Sequence, residues 1–249
     1  MNPRAIKVIW LRELRVHFRD KPRLLSSLAR SILWMVIFGG GFGAARFPGL
    51  SVDYQGFLFP GVIAMSVLFT SMHSGVSVIW DREFGFMKEI LVSPASRFSI
   101  LAGKLFGGSS IAVMEGGLIM LLGPLMGVHM TPGKALAALF IMLLTSMSLV
   151  GIGLIIASMM KSLEGFQIIM SFFVMPMFFL SGAIFPLDKI PAWMTPLTMI
   201  NPLTYGVDAL RAVLMDMGHY PVVVDLAILV LAATLTSLAG TRAFQNSGG

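Results

Sequence analysis

Six stretches of this chain, residues 26–44, 57–80, 99–127, 134–160, 166–185 and 222–243, run long and apolar with few charges inside them. A bilayer core of roughly 30 Å needs about 20 apolar residues in a helix, whereas a barrel strand needs only about ten of alternating polarity. The alternation is absent and the length is present, so helices are expected. The rest of the composition agrees. With 56% hydrophobic and 12% charged residues over 249 positions, the chain has too little polar surface to cover a soluble domain. The expectation is an all-α integral membrane protein of six transmembrane helices in one domain, 1–249. Cysteine is absent, which excludes disulfides and thiolate metal sites.

Lys and Arg distribute unevenly over the alternate ends of these runs. Fourteen of the 18 fall in or near 1–30, 82–104, Lys161 and Arg242; the other four are Arg46, Lys134, Lys189 and Arg211. Under the positive-inside rule both termini are cytoplasmic, in a multi-pass protein of the plasma membrane, with a bacterial inner membrane the expected setting. The net charge of +6 is therefore read as topology, and no nucleic-acid partner is expected.

Two polar segments share that expected cytoplasmic side. In 1–25, Asn2 can cap a helix with Pro3 at its first position; Arg4, Arg12, Arg15 and Arg19 then share one side and Ile6, Ile9, Trp10 and Leu14 the other. Such a helix suits the membrane interface, either as an anchor with Trp10 at headgroup depth or as part of a docking surface for a cytoplasmic partner. It has no apolar core before position 26, so a cleavable signal is not expected. The segment DREFGFMKEILVSPASR, 81–97, follows the second run. As a helix over 81–92 it would gather Phe84, Met87, Ile90 and Leu91 on one side with Arg82 and Glu89 opposite, and Pro94 would end it. A solvated connector is the plain reading of such a loop, but the gathered apolar residues suit a groove.

Three segments in this order resemble the membrane subunits of ABC-2 type transporters: YQGFLFPGVIAMSV (54–67), DREFGFMKEILVSPASRFSILAGK (81–104) and NPLTYGVDALRAVL (201–214). The resemblance implies that the 81–98 loop is a coupling helix seated in a cleft of an ATPase subunit, with Arg82, Glu83, Phe84, Gly85, Met87, Lys88, Glu89 and Pro94 at the contact. It implies that Arg4, Arg12, Glu13, Arg15 and Arg19 belong to an interface helix touching the same ATPase. It further implies a homodimer with two copies of that ATPase, and an external gate over 186–221 carrying Asn201, Pro202, Tyr205, Asp208 and Arg211. No G-x-x-x-x-G-K-[ST] occurs, and GGGFGAAR at 39–46 lacks the Lys-Ser/Thr. ATP and Mg²⁺ are thus expected on the partner, with no cofactor and no catalysis in this chain.

Inside the runs, Glu115 is a costly charge that needs a partner, a wet cavity or a proton, and its small neighbours Gly107, Gly108, Ser109, Gly116 and Gly117 suit close helix packing. Packing and lining of a translocation path are both open for Glu115. His73, beside Ser71 and Ser74, reads as an interhelical hydrogen-bonding group, and no second His or carboxylate stands at metal spacing. MSFFVMPMFFL at 170–180, with Met175 and Phe178, offers an adaptable lining for apolar substrates, although lipid contact explains it as well. The 186–221 stretch holds four prolines before a helix with Tyr205, Asp208 and Arg211 at i, i+3 and i+6, so short, partly re-entrant helices and an Asp208–Arg211 pair are expected. With only four Trp and three Tyr, drugs, lipids or glycolipids are favoured as cargo over a polysaccharide or lipid-linked oligosaccharide. Neither G-x-S-x-G nor H-E-x-x-H occurs, which sets an enzyme aside; a passive channel or scaffold subunit remains the competing class.

Overall fold

The structure is a computed structural model that describes residues 2–42, 54–85, 96–160 and 162–246. These residues form the helices α1 (Pro3–Arg19), α2 (Lys21–Phe42), α3 (Tyr54–His73), α4 (Val76–Glu83), α5 (Arg97–Met120), α6 (Pro132–Met159), α7 (Leu163–Phe179), α8 (Thr195–Ile200), α9 (Pro202–Met215) and α10 (Val222–Asn246). Two 3-10 turns, Gly123–Met126 and Leu187–Lys189, complete them, and no strand occurs among the described residues.

Small residues set the directions of the long helices, because a missing Cβ lets a neighbour come close. Gly108 faces Ser74 and Val150, Gly116 faces Val67 and Met142, and Gly123 faces Phe59, so α5 runs opposite to α3 and to α6. Gly151 meets Thr236 while Gly240 lies near Ile155, so α10 runs with α6. Gln55 bonds the Gly39 carbonyl at one end of α2 and Arg30 covers Phe69 at the other, which makes α2 antiparallel to α3. Gly61 packs on Ala183 and Gly75 on Phe166, so α7 also opposes α3. The shared interior contains Phe59, Ile63, Leu68, Ile100, Met142 and Phe166, all inaccessible to solvent.

Lys21–Gly41, Tyr54–Glu83, Pro132–Met159 and Val222–Ala243 are long and apolar enough to cross a membrane. Leu163–Phe179 is apolar but shorter. The 24-residue α5 contains Lys104 and Glu115 inside its length, which lowers its hydropathy although most of its residues are buried between neighbours. Several boundaries differ from the sequence reading. The first run starts its helix at Lys21, and the fifth ends at Phe179, after which the chain turns through 180–185. The second run is two helices, separated by a turn in which Ser74 and Gly75 donate to Ser71 and Met72, three residues back. The helix expected over 81–92 does not form as one piece: Asp81, Arg82 and Glu83 end α4, and Gly85 adopts a left-handed φ of 77° that L side chains rarely hold.

Candidate functional site

The N-terminal helix is placed by its cap and by two glycines. Asn2 Oδ1 accepts the amide N–H groups of Arg4 and Ala5 at 3.1 and 3.4 Å, and Pro3 opens the helix. Gly103 of α5 leaves room for Ile9 and the Ile6 carbonyl, and Gly107 for Glu13, so α1 lies parallel along α5. The Asn2 amide donates to Ser99 Oγ at 3.1 Å and Trp10 Nε1 donates to Ser110 Oγ at 3.0 Å, which seats Trp10 against the bundle.

Where α1, α4 and α5 meet, two cations and two carboxylates close on one another. Arg12 donates to both oxygens of Asp81, at 3.1 and 2.5 Å. Lys104 Nζ donates to Asp81 Oδ2 at 2.6 Å, to Ser77 Oγ at 3.0 Å and to Glu13 Oε1 at 3.1 Å, using all three of its protons. The Lys104 side chain is 1% exposed, Asp81 3% and Glu13 13%, so the ions shield one another from an apolar interior. Only Arg12, at 40%, reaches outside. Its hydrogen bond to Asp81 raises its pKa above the ordinary arginine range, against the lowering effect of burial. Beyond the clasp, Arg82 donates to the carbonyls of Met160 and Ser158, tying the end of α4 to the end of α6.

The expected coupling residues therefore divide. Arg82 is a structural tie, while Glu83, Phe84 and Gly85 are exposed just beyond the clasp. Met87, Lys88, Glu89 and Pro94 lie outside the described residues. Of the expected interface-helix residues, Arg4, Arg15 and Arg19 are exposed, whereas Arg12 and Glu13 are drawn into the clasp. Sequence reasoning treated Asp81 and Lys104 as loop charges. The available signal was that each stands at the edge of an apolar run, with Lys104 between the small residues Gly103 and Gly107.

Further along α5, Glu115 is buried between α1 and α3: it accepts a hydrogen bond from the Thr70 hydroxyl, and His17 Nε2 lies 3.2 Å from its other oxygen. These contacts join α5 to α3 and α1, and Glu115 also borders a small cavity. His73 does not bridge helices as expected; its Nδ1 faces the Phe69 carbonyl of its own helix at 3.3 Å. Phe178 is buried and meets Trp34 edge to face at 6.1 Å, whereas Met175 is exposed. Among the described residues no group of three His, Asp or Glu could hold a metal ion.

At the opposite end of the bundle, the residues of 201–211 serve the chain's own backbone. Asn201 caps α9 and donates to the Met177 carbonyl at 2.7 Å, Pro202 opens the helix, and Tyr205 donates to the Met199 carbonyl at 2.8 Å. The expected Asp208–Arg211 pair is replaced by other partners. Asp208 accepts the amides of His219 and Tyr220, while Arg211 donates to the Gly182 carbonyl at 2.9 Å with its guanidinium 4.0 Å from the Phe57 ring centroid. Burial pushes Arg211 down to about 10.

Residues 4–215 match the family described as ABC-2 type transporter. The chain is 31% identical to a protein of Cyanophora paradoxa named as a transport permease, ycf38, over 82% of this chain and 72% of that one. It is 29% identical to the Escherichia coli protein named as a multidrug ABC transporter permease, YbhR, over 76% of this chain and 52% of the other. It is also 25% identical to the Escherichia coli inner membrane transport permease YadH, over 91% and 89%.

Proposed function

Because this chain belongs to the ABC-2 type transporter family, membrane permeases that associate with an ABC ATPase subunit, we propose that it is the permease of an exporter for hydrophobic or amphipathic molecules. In this reading two copies pair with two copies of the ATPase, which holds the ATP and Mg²⁺. The chain crosses a bacterial inner membrane six times, with both termini in the cytoplasm. The helix directions support six crossings: α2, α5 and α7 run one way and α3–α4, α6 and α10 the other, as successive spans must. The name of YbhR, a multidrug permease, supports the choice of cargo.

One observation carries the coupling role: the buried clasp of Arg12, Asp81, Lys104 and Glu13 joins α1 to both helices that flank the 84–96 loop. A push on that loop by the closing ATPase would move α1, α4 and α5 as one body, since separating them strands buried charges. The turn at Ser74 and Gly75, where three-residue hydrogen bonds replace the regular pattern, gives α4 a place to pivot on α3. The external helices α8 and α9 would open the far end, held until then by Arg211 on Gly182 and Phe57.

The test is co-purification with an ABC ATPase expressed beside it, followed by substrate-stimulated hydrolysis. Glu83→Gln and Glu89→Gln should leave the complex assembled and reduce the stimulation several-fold. A chain that captures no ATPase, or hydrolysis untouched by both substitutions, would favour a channel or scaffold instead.

A further inference from the structure

A second polar feature lies beside the clasp but does not share its charges. At the elbow where α1 turns into α2, a cavity of about 100 Å³ is bounded by His17, Arg23, Arg30, Thr70, His73 and Glu115. Its one acid is already occupied: Glu115 accepts from Thr70 and faces His17. Its two arginines are not. Among the described residues no carboxylate lies within 4.0 Å of the guanidinium of Arg23 or Arg30. Arg30 rests 5.0 Å from the Phe69 ring centroid, a contact that stabilises the cation without using its N–H donors. The nearby serines are spent on their own helix, Ser26 on the Arg23 carbonyl and Ser27 on that of Leu24.

Two forked donor groups around a pocket whose acid is already hydrogen-bonded select an anion that presents several oxygens, which is the chemistry of a phosphate. The same helix says what the phosphate is attached to. From Arg23 the stripe of positions at helical spacing continues through Arg30 to Leu33 and Ile37, which are 57% and 55% exposed. We infer that this elbow binds the phosphate headgroup of an anionic amphiphile, with Arg23 and Arg30 on the phosphate and its hydrocarbon chain laid along Leu33 and Ile37. The inference rests on the permease reading only for the bilayer around α2, and it assigns that permease a ligand class.

A binding assay without nucleotide or ATPase separates this claim from coupling. The protein in neutral detergent is titrated with dioctanoyl phosphatidic acid, dioctanoylglycerol and inorganic phosphate, followed by tryptophan emission. Phosphatidic acid should bind saturably and the phosphate-free dioctanoylglycerol should not. The double variant Arg23→Gln/Arg30→Gln should weaken binding roughly ten-fold or more, as expected for losing two charge-assisted contacts. Lys7→Gln/Arg242→Gln removes the same charge from exposed positions and should change it less than about two-fold. Equal weakening by both variants, no effect of the first, or inorganic phosphate binding as tightly as the lipid would overturn the assignment. Should the double variant misfold, wild type labelled with a diazirine-tailed phosphatidic acid supplies the answer: modification concentrated on 26–37 supports the site, and equal labelling of the exposed apolar face of α10 refutes it.

Discussion

Replacing Lys104 with Met keeps most of the side-chain volume and removes three hydrogen bonds. Two of these go to carboxylates, Asp81 at 2.6 Å and Glu13 at 3.1 Å, and one to a hydroxyl, Ser77 at 3.0 Å. Asp81 keeps both bonds from Arg12. Glu13, 13% exposed, loses the cation that bonds it and keeps only the weaker through-space attraction of Arg12. Removing one partner from a buried ionic cluster costs about 3–5 kcal/mol, because the remaining charge stays where water cannot reach it. At about 2–4 °C per kcal/mol for a chain of this size, the melting temperature should fall by roughly 6–20 °C. Scanning fluorimetry on the four native Trp residues reads this directly, since the chain has no Cys for a thiol dye. A second substitution, Glu13→Gln, removes the stranded charge, so Lys104→Met/Glu13→Gln should recover at least about 1 kcal/mol of the loss. A Lys104→Met protein melting within about 2 °C of wild type, or a double variant whose losses simply add, would show that the clasp does not hold α1 to the bundle.

Two further perturbations test the packing and a buried carboxylate that has no hydrogen bond. A Cβ at Gly75 would come within 2.5 Å of the Gly153 carbonyl oxygen, which is backbone and cannot swing aside, so Gly75→Ala should cost roughly 1–3 kcal/mol and lower the same melting curve. Asp225 is fully buried in α10 with neither carboxylate oxygen hydrogen-bonded. Asp225→Asn should therefore raise the melting temperature, by an amount reflecting roughly 1–3 kcal/mol, and a fall would mean that the carboxylate is stabilised by a partner in the folded protein.

Helical class and the presence of long apolar segments were legible because length and hydropathy are local properties. The cap at Asn2 and the small-residue contacts of Gly107, Gly108 and Gly116 were legible for the same reason, since each depends on the residue type at a single place. The clasp was not. Glu13, Asp81 and Lys104 are separated by 68 and 23 residues, and the small residues beside Lys104 mark a close approach without naming the helices or charges that make it. Asp208 and Arg211 illustrate the reverse error: spacing of three suggested a pair, but backbone donors at 219 and 220 and an acceptor at Gly182 offered each a better-placed partner. Gly85 was also misread, because an amphipathic pattern over 81–92 carries no mark of the φ at which its glycine sits.

The parallel seat of α1 on α5 imposes an order on biogenesis. Ser99, Lys104 and Ser110 leave the ribosome 97, 91 and 100 residues after the groups they satisfy at Asn2, Glu13 and Trp10. Until α5 has been made, α1 lacks the partners that hold Asn2, Trp10 and Glu13. Helix α1 is thus made before α5 yet can dock only after it, and its docking reports that α5 has arrived.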